Sequence, residues 1–115
     1  MPLSPLDRLP VAVRTYLGAH AGHDVPAAAA CFAPGAVVVD DGASYRGRAE
    51  IGGWLTRSAA EYTYTTTPTA VARHDDGIWH VTQRLEGNFP GGVAVLGFAF
   101  RVREGHITSL DIRSV

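Results

Sequence analysis

The chain has 115 residues, of which 46% are hydrophobic, and its formal net charge is −1 at neutral pH. This length predicts a single domain, residues 1–115, that buries roughly two-thirds of the surface its unfolded chain exposes. Because there is no basic excess, neither nucleic acid nor an anionic membrane is expected as a partner. Residues 1–10 hold no continuous apolar stretch, so we expect neither a signal peptide nor a membrane span.

The first predicted helix begins near Leu9. Proline is tolerated only in the first turn of a helix, where its missing N–H would be unpaired anyway, and this fits Pro10. Val13, Tyr16 and His20 then recur at helical spacing. They are therefore predicted to share one inward face.

Two further helices and two short strands are predicted before residue 62. One helix is capped by Asp24 and runs to Phe32, where Pro34 and Gly35 follow it. The apolar residues 36–39 then form a strand that ends in paired acids, and a brief second strand leads into a third helix at 48–60. Gly52 and Gly53 inside that helix indicate either close approach of a neighbouring backbone or local mobility.

The second half of the chain predicts an antiparallel sheet. Strands are expected at 62–74, 78–89, 93–103 and 106–113, in meander order. The turns between them are predicted at Asp75-Asp76-Gly77, Pro90-Gly91-Gly92 and Glu104-Gly105. Helices followed by strands predict an α+β fold with the helices on one face of the sheet. Long strands twist and bend, so the layers are expected to enclose a cone.

Alternation along the strands assigns residues to two faces. Val81, Leu85 and Phe89 are predicted to share an inner face with the polar Gln83. On the next strand the inner residues are Leu96, Phe98, Phe100 and Val102. The opposite face carries the polar residues His80, Thr82, Arg84, Glu86 and Asn88. That polar stripe indicates an outer surface or a contact between subunits.

Asp40 is the strongest candidate for chemistry. A carboxylate at the end of an apolar strand, facing a cavity with few waters, can act as a general base. The alternative is that Asp40, Asp41 and Gly42 form an ordinary turn with solvated acids. Trp54, Tyr62 and Tyr64 can line an aromatic pocket, although such residues also serve as plain core.

Metal and covalent chemistry have little support in the sequence. His20, His23 and Asp24 lie close together at a helix end, but no further ligand is implied, so neither a metal nor a cofactor is predicted. Cys31 is the only cysteine, and its alanine-rich helical setting predicts an inert core thiol. A single cysteine also excludes an internal disulfide and favours a cytoplasmic location.

Two motifs resemble a known superfamily. They are Val13-Arg14-Thr15-Tyr16 and the run Phe32-Ala33-Pro34-Gly35-Ala36-Val37-Val38-Val39-Asp40. Both are similar to segments of the SnoaL-like branch of the nuclear transport factor 2 superfamily, which includes polyketide cyclases and ketosteroid isomerases. The resemblance implies a cone-shaped fold of three N-terminal helices packed on a curved, mainly antiparallel sheet, and a homodimer.

The resemblance also implies roles for particular residues. Asp40 is similar to the catalytic base of the isomerases, and Tyr16 to the phenol that hydrogen-bonds the enolate oxygen. Their second acid falls near Phe98, which cannot donate a hydrogen bond. The second half of the chain, around Asn88, looks more like the SnoaL-like proteins, whose activities vary.

Three functional hypotheses follow. The first is a cofactor-independent isomerase or cyclase in which Asp40 and Tyr16 act on a carbonyl-containing ligand, either apolar or aromatic. The second is a non-catalytic binding protein for a small apolar ligand. The third is an assembly element whose outer sheet face forms the homodimer. The predicted ligand-binding residues are Trp54, Tyr62, Tyr64, Gln83, Phe98 and Phe100.

Overall fold

The computed structural model describes residues 5–74 and 76–115. A 3-10 turn at Pro5–Arg8 precedes three helices, which are α1 (Val11–Ala21), α2 (Val25–Ala30) and α3 (Gly47–Glu61). The strands are β1 (Phe32–Asp40), β2 (Ala43–Arg46), β3 (Tyr64–Arg73), β4 (Trp79–Gly87), β5 (Val93–Arg103) and β6 (His106–Ser114). Among these described residues, no helix combines the length and apolar character needed to cross a bilayer.

The six strands form one curved sheet in the order β2-β1-β6-β5-β4-β3. Strands β3 to β6 follow one another as the predicted antiparallel meander. The pairing of β1 with β6 is parallel, and all other neighbouring strands are antiparallel. The α+β prediction is therefore confirmed. The first residue of the predicted turn at 75–77 lies outside the described residues, and Asp76 and Gly77 form a turn as expected.

The core lies between the helices and the concave face of the sheet. Four aromatic side chains with at most 2% exposure fill its deepest part, and they are Tyr16, Phe32, Phe98 and Phe100. Irregular register within β1, β3 and the β5–β6 pair accompanies the bending of the strands. The inner end of the cone is thus filled by the protein's own side chains.

The region around Pro34 differs from the prediction. The second helix ends at Ala30 and not at Phe32, and both Pro34 and Gly35 lie within β1. Proline has no N–H to give to a strand, and the β1–β6 register shifts between Phe32 and Val37, where Pro34 is accommodated. Burial of Phe32 in the core draws this segment into the sheet.

Smaller differences concern the ends of elements. The first helix begins at Val11, with Pro10 as its N-cap, instead of near Leu9. The third helix extends one residue further at each end than predicted. Strand β4 ends at Gly87, so Phe89 lies in the following turn, where its ring contacts Tyr62 edge-on. Such shifts are ordinary, because helix and strand ends are the least strongly specified positions.

The glycine pair in α3 has open surroundings. A Cβ built on Gly52 meets no atom within 4 Å, and one on Gly53 meets only the end of the Arg57 side chain, at 3.2 Å. Close approach of a neighbouring backbone is therefore not the reason for glycine here. By contrast, a Cβ on Gly87 would lie 2.8 Å from Cα of Tyr64.

These surroundings predict opposite effects of two alanine substitutions. Gly52→Ala is expected to raise the free energy of unfolding by about 1 kcal/mol, because alanine favours the helix and has room. Gly87→Ala is expected to destabilise the protein, because its Cβ would force β3 away from β4. Urea unfolding of both variants tests this, and a destabilised Gly52→Ala variant would show that the helix needs glycine there.

Candidate functional site

Asp40 lies at the open end of the cone, where three elements meet. It ends β1, pairing with Ile112 of β6 on one side and with Ala43 of β2 on the other. Its side chain is half-buried, and Nε1 of Trp54 in α3 donates a hydrogen bond of 2.9 Å to its Oδ2. The indole thus fixes the carboxylate and leaves other lone pairs of its oxygens free.

The two neighbouring acids lie in different environments. Asp41 is exposed and adopts a left-handed backbone conformation, with φ of 50°, and Gly42 follows with φ of 83°. These two residues make the turn between β1 and β2, which is the conformation that Asp and Gly tolerate best. Of the two acids, therefore, only Asp40 belongs to strand β1 and is bound by Trp54 of α3.

An open cleft of about 400 Å³ adjoins Asp40. Its walls include Tyr62 and Tyr64, two of the aromatic residues predicted to bind a ligand, together with Ser58 and Glu61. The remaining lining residues are mostly apolar and are Leu85, Phe89, Pro90, Ala94 and Leu96. A mainly apolar cleft with a few placed polar groups is typical of small-molecule sites.

A much smaller pocket adjoins this cleft, between the three helices and β3. It has a volume of about 20 Å³, roughly the space of one water molecule. Its walls include His20 and Trp54, and it shares Ser58 and Tyr64 with the open cleft. Tyr64 and Ser58 therefore lie between the two spaces.

Tyr16 is buried in the core and lines neither of these two spaces. Its side chain has 0% exposure, and its hydroxyl has no hydrogen-bond partner among the described residues. Burial raises the pKa of the Tyr16 phenol well above its usual range, and electrostatic interaction with Tyr64 and with the Asp40 carboxylate raises this pKa further. The hydroxyl is therefore protonated and close enough to sense the Asp40 charge, but in this structure it is closed off from both spaces.

The sequence prediction missed the role of His20. Its Nε2 and the Tyr64 hydroxyl are 3.1 Å apart and share a hydrogen bond. Its ring also stacks on Tyr16, with ring centroids 5.7 Å apart. Burial lowers the pKa of His20 to about 4, helped by the nearby His23, so the imidazole is neutral at physiological pH. Its position one turn after Tyr16 on the inward face was the available signal.

The other predicted ligand-binding residues belong to the core. Phe98 and Phe100 are buried and stack on each other, with ring centroids 6.3 Å apart. Gln83 is 1% exposed, and its Nε2 has no hydrogen-bond partner among the described residues. Trp54 is 5% exposed and lines the small pocket, and its Nε1 donates the hydrogen bond to Asp40.

Within residues 5–74 and 76–115, no group of three or more His, Cys, Asp or Glu side chains is arranged to hold a metal ion. His23 is exposed, and its Nε2 lies 3.2 Å from the backbone carbonyl oxygen of Tyr64. Asp24 caps α2 by accepting a hydrogen bond from the N–H of Ala27. Both side chains thus have structural partners.

The model of the SnoaL-like domain family matches residues 13–110, which include every residue of the site described above. The chain belongs to the SnoaL-like family. A comparison of this SnoaL-like domain with curated protein sequences gives no significant match. The identification therefore establishes the family and leaves the substrate open.

Solved structures agree with this assignment. A candidate polyketide cyclase from Sinorhizobium meliloti has 31% identity and a TM-score of 0.87, with 96% of this chain and 100% of that one covered. A Catenulispora acidiphila protein with a ketosteroid isomerase-like fold, in complex with trimethylamine, has 26% identity and a TM-score of 0.78, with 90% and 85% covered.

A third structure shows that the likeness of fold extends further than that of sequence. A Mycobacterium tuberculosis protein in complex with estradiol-17β-hemisuccinate has 20% identity and a TM-score of 0.76, with 98% of this SnoaL-like domain and 95% of that chain covered. At this identity the likeness concerns the fold alone. The cone prediction is thus confirmed independently of any shared chemistry.

The lowered pKa of His20 predicts a loss of stability in mild acid. The unfolded chain binds the proton near pH 6.5 and the folded protein only near pH 4, so stability falls as the pH drops through this window. At pH 5 the loss due to His20 is about 2 kcal/mol. Between pH 7.5 and pH 5, the free energy of unfolding measured in urea should fall less for His20→Gln than for the wild type.

The matched control for this measurement is His106→Gln, because His106 is exposed beside a turn. This control is expected to keep the pH dependence of the wild type. An equally steep loss of stability in His20→Gln would mean that His20 is not the group responsible.

Proposed function

We propose that this SnoaL-like domain is a cofactor-independent isomerase or cyclase that moves a proton next to a carbonyl group. The observation that carries the proposal is the Asp40 carboxylate, which borders the cleft and is fixed by Trp54. The Tyr16 hydroxyl, which is buried and has no hydrogen-bond partner among the described residues, offers a protonated donor once a ligand reaches it. Base and donor are the two groups that enolate chemistry needs.

The proposed step is a proton transfer through an enolate. Asp40 takes a proton from the carbon next to the carbonyl, and the C–H electron pair forms a carbon–carbon double bond. The carbonyl π pair moves to the oxygen, where the Tyr16 hydroxyl donates a hydrogen bond to the developing charge. When a carbon–carbon double bond is conjugated with the enolate, the resulting dienolate takes the proton back from Asp40 at the far end of that double bond. In an aldol cyclisation the enolate carbon instead attacks a second carbonyl, whose π pair moves to its oxygen, and the alkoxide formed takes the proton from Asp40.

The relatives support this reaction class in general terms. One of the matching structures is named as a candidate polyketide cyclase, and another is described as having a ketosteroid isomerase-like fold. Two matching structures hold a small ligand, which are trimethylamine and an estradiol derivative. These complexes support small-ligand binding in general, and the expectation of a small apolar or aromatic carbonyl compound rests on the carboxylate and the apolar lining of the cleft. A cytoplasmic location stays a prediction from the single cysteine.

A second candidate is a non-catalytic protein that binds a small apolar ligand. It is favoured by Phe98, which places an apolar ring where the resemblance implies an acid, and by the filled inner end of the cone. On this hypothesis Tyr62 and Tyr64 hold the ligand in the cleft without chemistry. Ligand binding without any proton exchange distinguishes it from the enzyme.

We also propose a homodimer formed by the outer face of the sheet. Val93 and Val95 of β5 are 47% and 39% exposed, and Val115 beside them is 79% exposed. Arg84 and Glu86 form an exposed ion pair of 3.0 Å on the adjacent strand. An apolar centre with a polar rim suits a symmetric contact between two copies.

Exchange of carbonyl-adjacent protons for deuterium tests the enzyme proposal without the natural substrate. A panel of ketones and enones in D2O, followed by proton NMR, should show protein-dependent exchange. Asp40→Asn keeps an acceptor for Trp54 but removes the base, so exchange should fall by about 100-fold or more. Tyr16→Phe should cost about 100- to 1,000-fold. Exchange that persists in Asp40→Asn would refute the mechanism.

The matched control is Asp41→Asn. It makes the same chemical change one residue away, at an exposed position whose left-handed backbone asparagine tolerates. Exchange in this variant should equal that of the wild type. Equal losses in both variants would point to a general effect of charge near the turn.

The dimer is tested by sedimentation velocity over a range of concentrations. Val95→Lys should leave only monomer, because it places a charge at the centre of the proposed contact. Val11→Lys changes a more exposed valine, on α1, which is 67% exposed, and should dimerise like the wild type. A wild-type protein that stays monomeric at high concentration would rule the dimer out.

A further inference from the structure

We propose that Tyr64, positioned by a neutral His20, is a second hydrogen-bond donor to the ligand's carbonyl oxygen, acting together with Tyr16. This inference rests on the proposed function and gives a polar role to Tyr64, which the sequence predicts only as part of an aromatic pocket lining. Tyr64 is the residue that contacts the ligand, and His20 is a positioning residue that orients the Tyr64 hydroxyl.

Tyr64 is placed at the boundary of both spaces. It is the first residue of β3, pairs with Gly87 of β4, and lines both the open cleft and the small pocket adjoining it. The cleft that it lines is the one that Asp40 borders. Because Gly87 has no Cβ, Tyr64 can approach β4 more closely than any side chain there would allow.

Two histidines enclose the Tyr64 side chain. The ring of His23 meets it edge-on at 5.1 Å between centroids, and the ring of His20 lies at 5.9 Å. His20 is itself held by stacking on Tyr16 and by contact with Phe98, at 5.7 and 6.0 Å between centroids. The Tyr64 hydroxyl is thus fixed by a hydrogen bond to a residue that cannot itself move freely.

The hydrogen bond between His20 and Tyr64 can run in either direction. If His20 carries its proton on Nδ1, the Tyr64 hydroxyl donates its only hydrogen to Nε2 and cannot donate to a ligand. If the proton is on Nε2, His20 donates to the Tyr64 oxygen, and the Tyr64 O–H is free to donate into the cleft.

The surroundings of Nδ1 decide between these tautomers. Nδ1 of His20 is buried and has no hydrogen-bond partner among the described residues. A buried N–H without an acceptor is rarer than a buried acceptor that lacks a donor. We therefore assign the proton to Nε2. This tautomer makes Tyr64 a donor whose O–H is polarised by the bond its oxygen accepts.

The surroundings of Tyr64 and His20 keep the phenol protonated and the imidazole neutral. Burial raises the pKa of the Tyr64 phenol, and the charge of Asp40 raises it further, so the phenol stays protonated at neutral pH. The titratable side chains that face His20 are Tyr16, Tyr64 and His23. Asp24 lines the same small pocket, and its side chain is engaged in capping α2.

Nitrogen-15 NMR of the histidine rings tests the tautomer without any ligand. Between pH 6 and pH 8 we expect His20 to be neutral, with Nε2 protonated. In Tyr64→Phe this Nε2–H should lose its acceptor, and its chemical shift should change. Protonation on Nδ1 in the wild type would overturn the proposal, because the Tyr64 O–H would then be committed to His20.

A phenol probe tests the donor itself. 4-Nitrophenol resembles an enolate when ionised, and its absorbance reports the ionised fraction when it is bound. In an Asp40→Asn background, which removes the repulsive charge, Tyr64→Phe should weaken binding of the nitrophenolate by about tenfold or more. Tyr62→Phe removes the other phenol of the cleft. The assignment would be overturned if Tyr62→Phe weakened nitrophenolate binding more than Tyr64→Phe does, or if Tyr64→Phe left binding unchanged.

Two substitutions at His20 separate positioning from packing. His20→Gln keeps an N–H that can reach the Tyr64 oxygen, whereas His20→Leu keeps bulk and removes the donor. Both variants are made in the Asp40→Asn background. Nitrophenolate binding should be largely retained in His20→Gln and weakened in His20→Leu. If both bind the probe as tightly as the Asp40→Asn protein, His20 has only a structural role.

The outcomes also separate this inference from the proposed function. Probe binding that depends on Tyr64, in a protein that exchanges no carbonyl-adjacent protons, would support the donor and refute the enzyme. Exchange that depends on Asp40 but is unaffected by Tyr64→Phe would support the enzyme and refute the donor. Failure of the probe to bind at millimolar concentration would count against the oxyanion site as a whole.

Discussion

The hydrogen bond from the Trp54 indole to the Asp40 carboxylate connects the helical layer to the sheet at the mouth of the cleft. A half-buried carboxylate needs donors, and a buried indole N–H needs an acceptor, so each group satisfies the other. The bond fixes how α3 lies across β1. Tyr45 of β2 stacks on the same indole, with ring centroids 6.0 Å apart, and so supports its orientation. The rest of the cleft is arranged around this fixed carboxylate.

Polar groups follow a gradient from the mouth of the cone to its interior. Asp40 and Tyr64 border open space, His20 lies behind them, and the Tyr16 hydroxyl is sealed in the core. Each step inward removes water and makes the charged form of a side chain less favourable. Imidazole and phenols are accordingly neutral, and the carboxylate is placed where its charge can be tolerated. The base and the neutral donors thus lie in separate environments, the carboxylate at the mouth of the cone and the neutral groups further in.

Local sequence signals predicted most of this architecture. Turn residues marked the meander, and helix caps marked α1 and α2 to within two residues. Asp40 was found because a strand ends there. Contacts between distant segments were not predictable, because no local pattern encodes them. Pro34 inside a strand depends on pairing with β6, and the bond between His20 and Tyr64 joins residues 44 positions apart. The polar use of Trp54 likewise required the tertiary structure.

The parallel pairing of β1 with β6 sets an order of assembly. Asp40 is opposite Ile112, so a strand from the first third of the chain finds its inner neighbour only in the last strand. During synthesis, β3, β4 and β5 can pair with one another as they appear, whereas β1 has only the short β2 beside it. Non-local pairing of this kind closes late and slowly. The carboxylate therefore reaches its final position only after nearly all of the chain has been made.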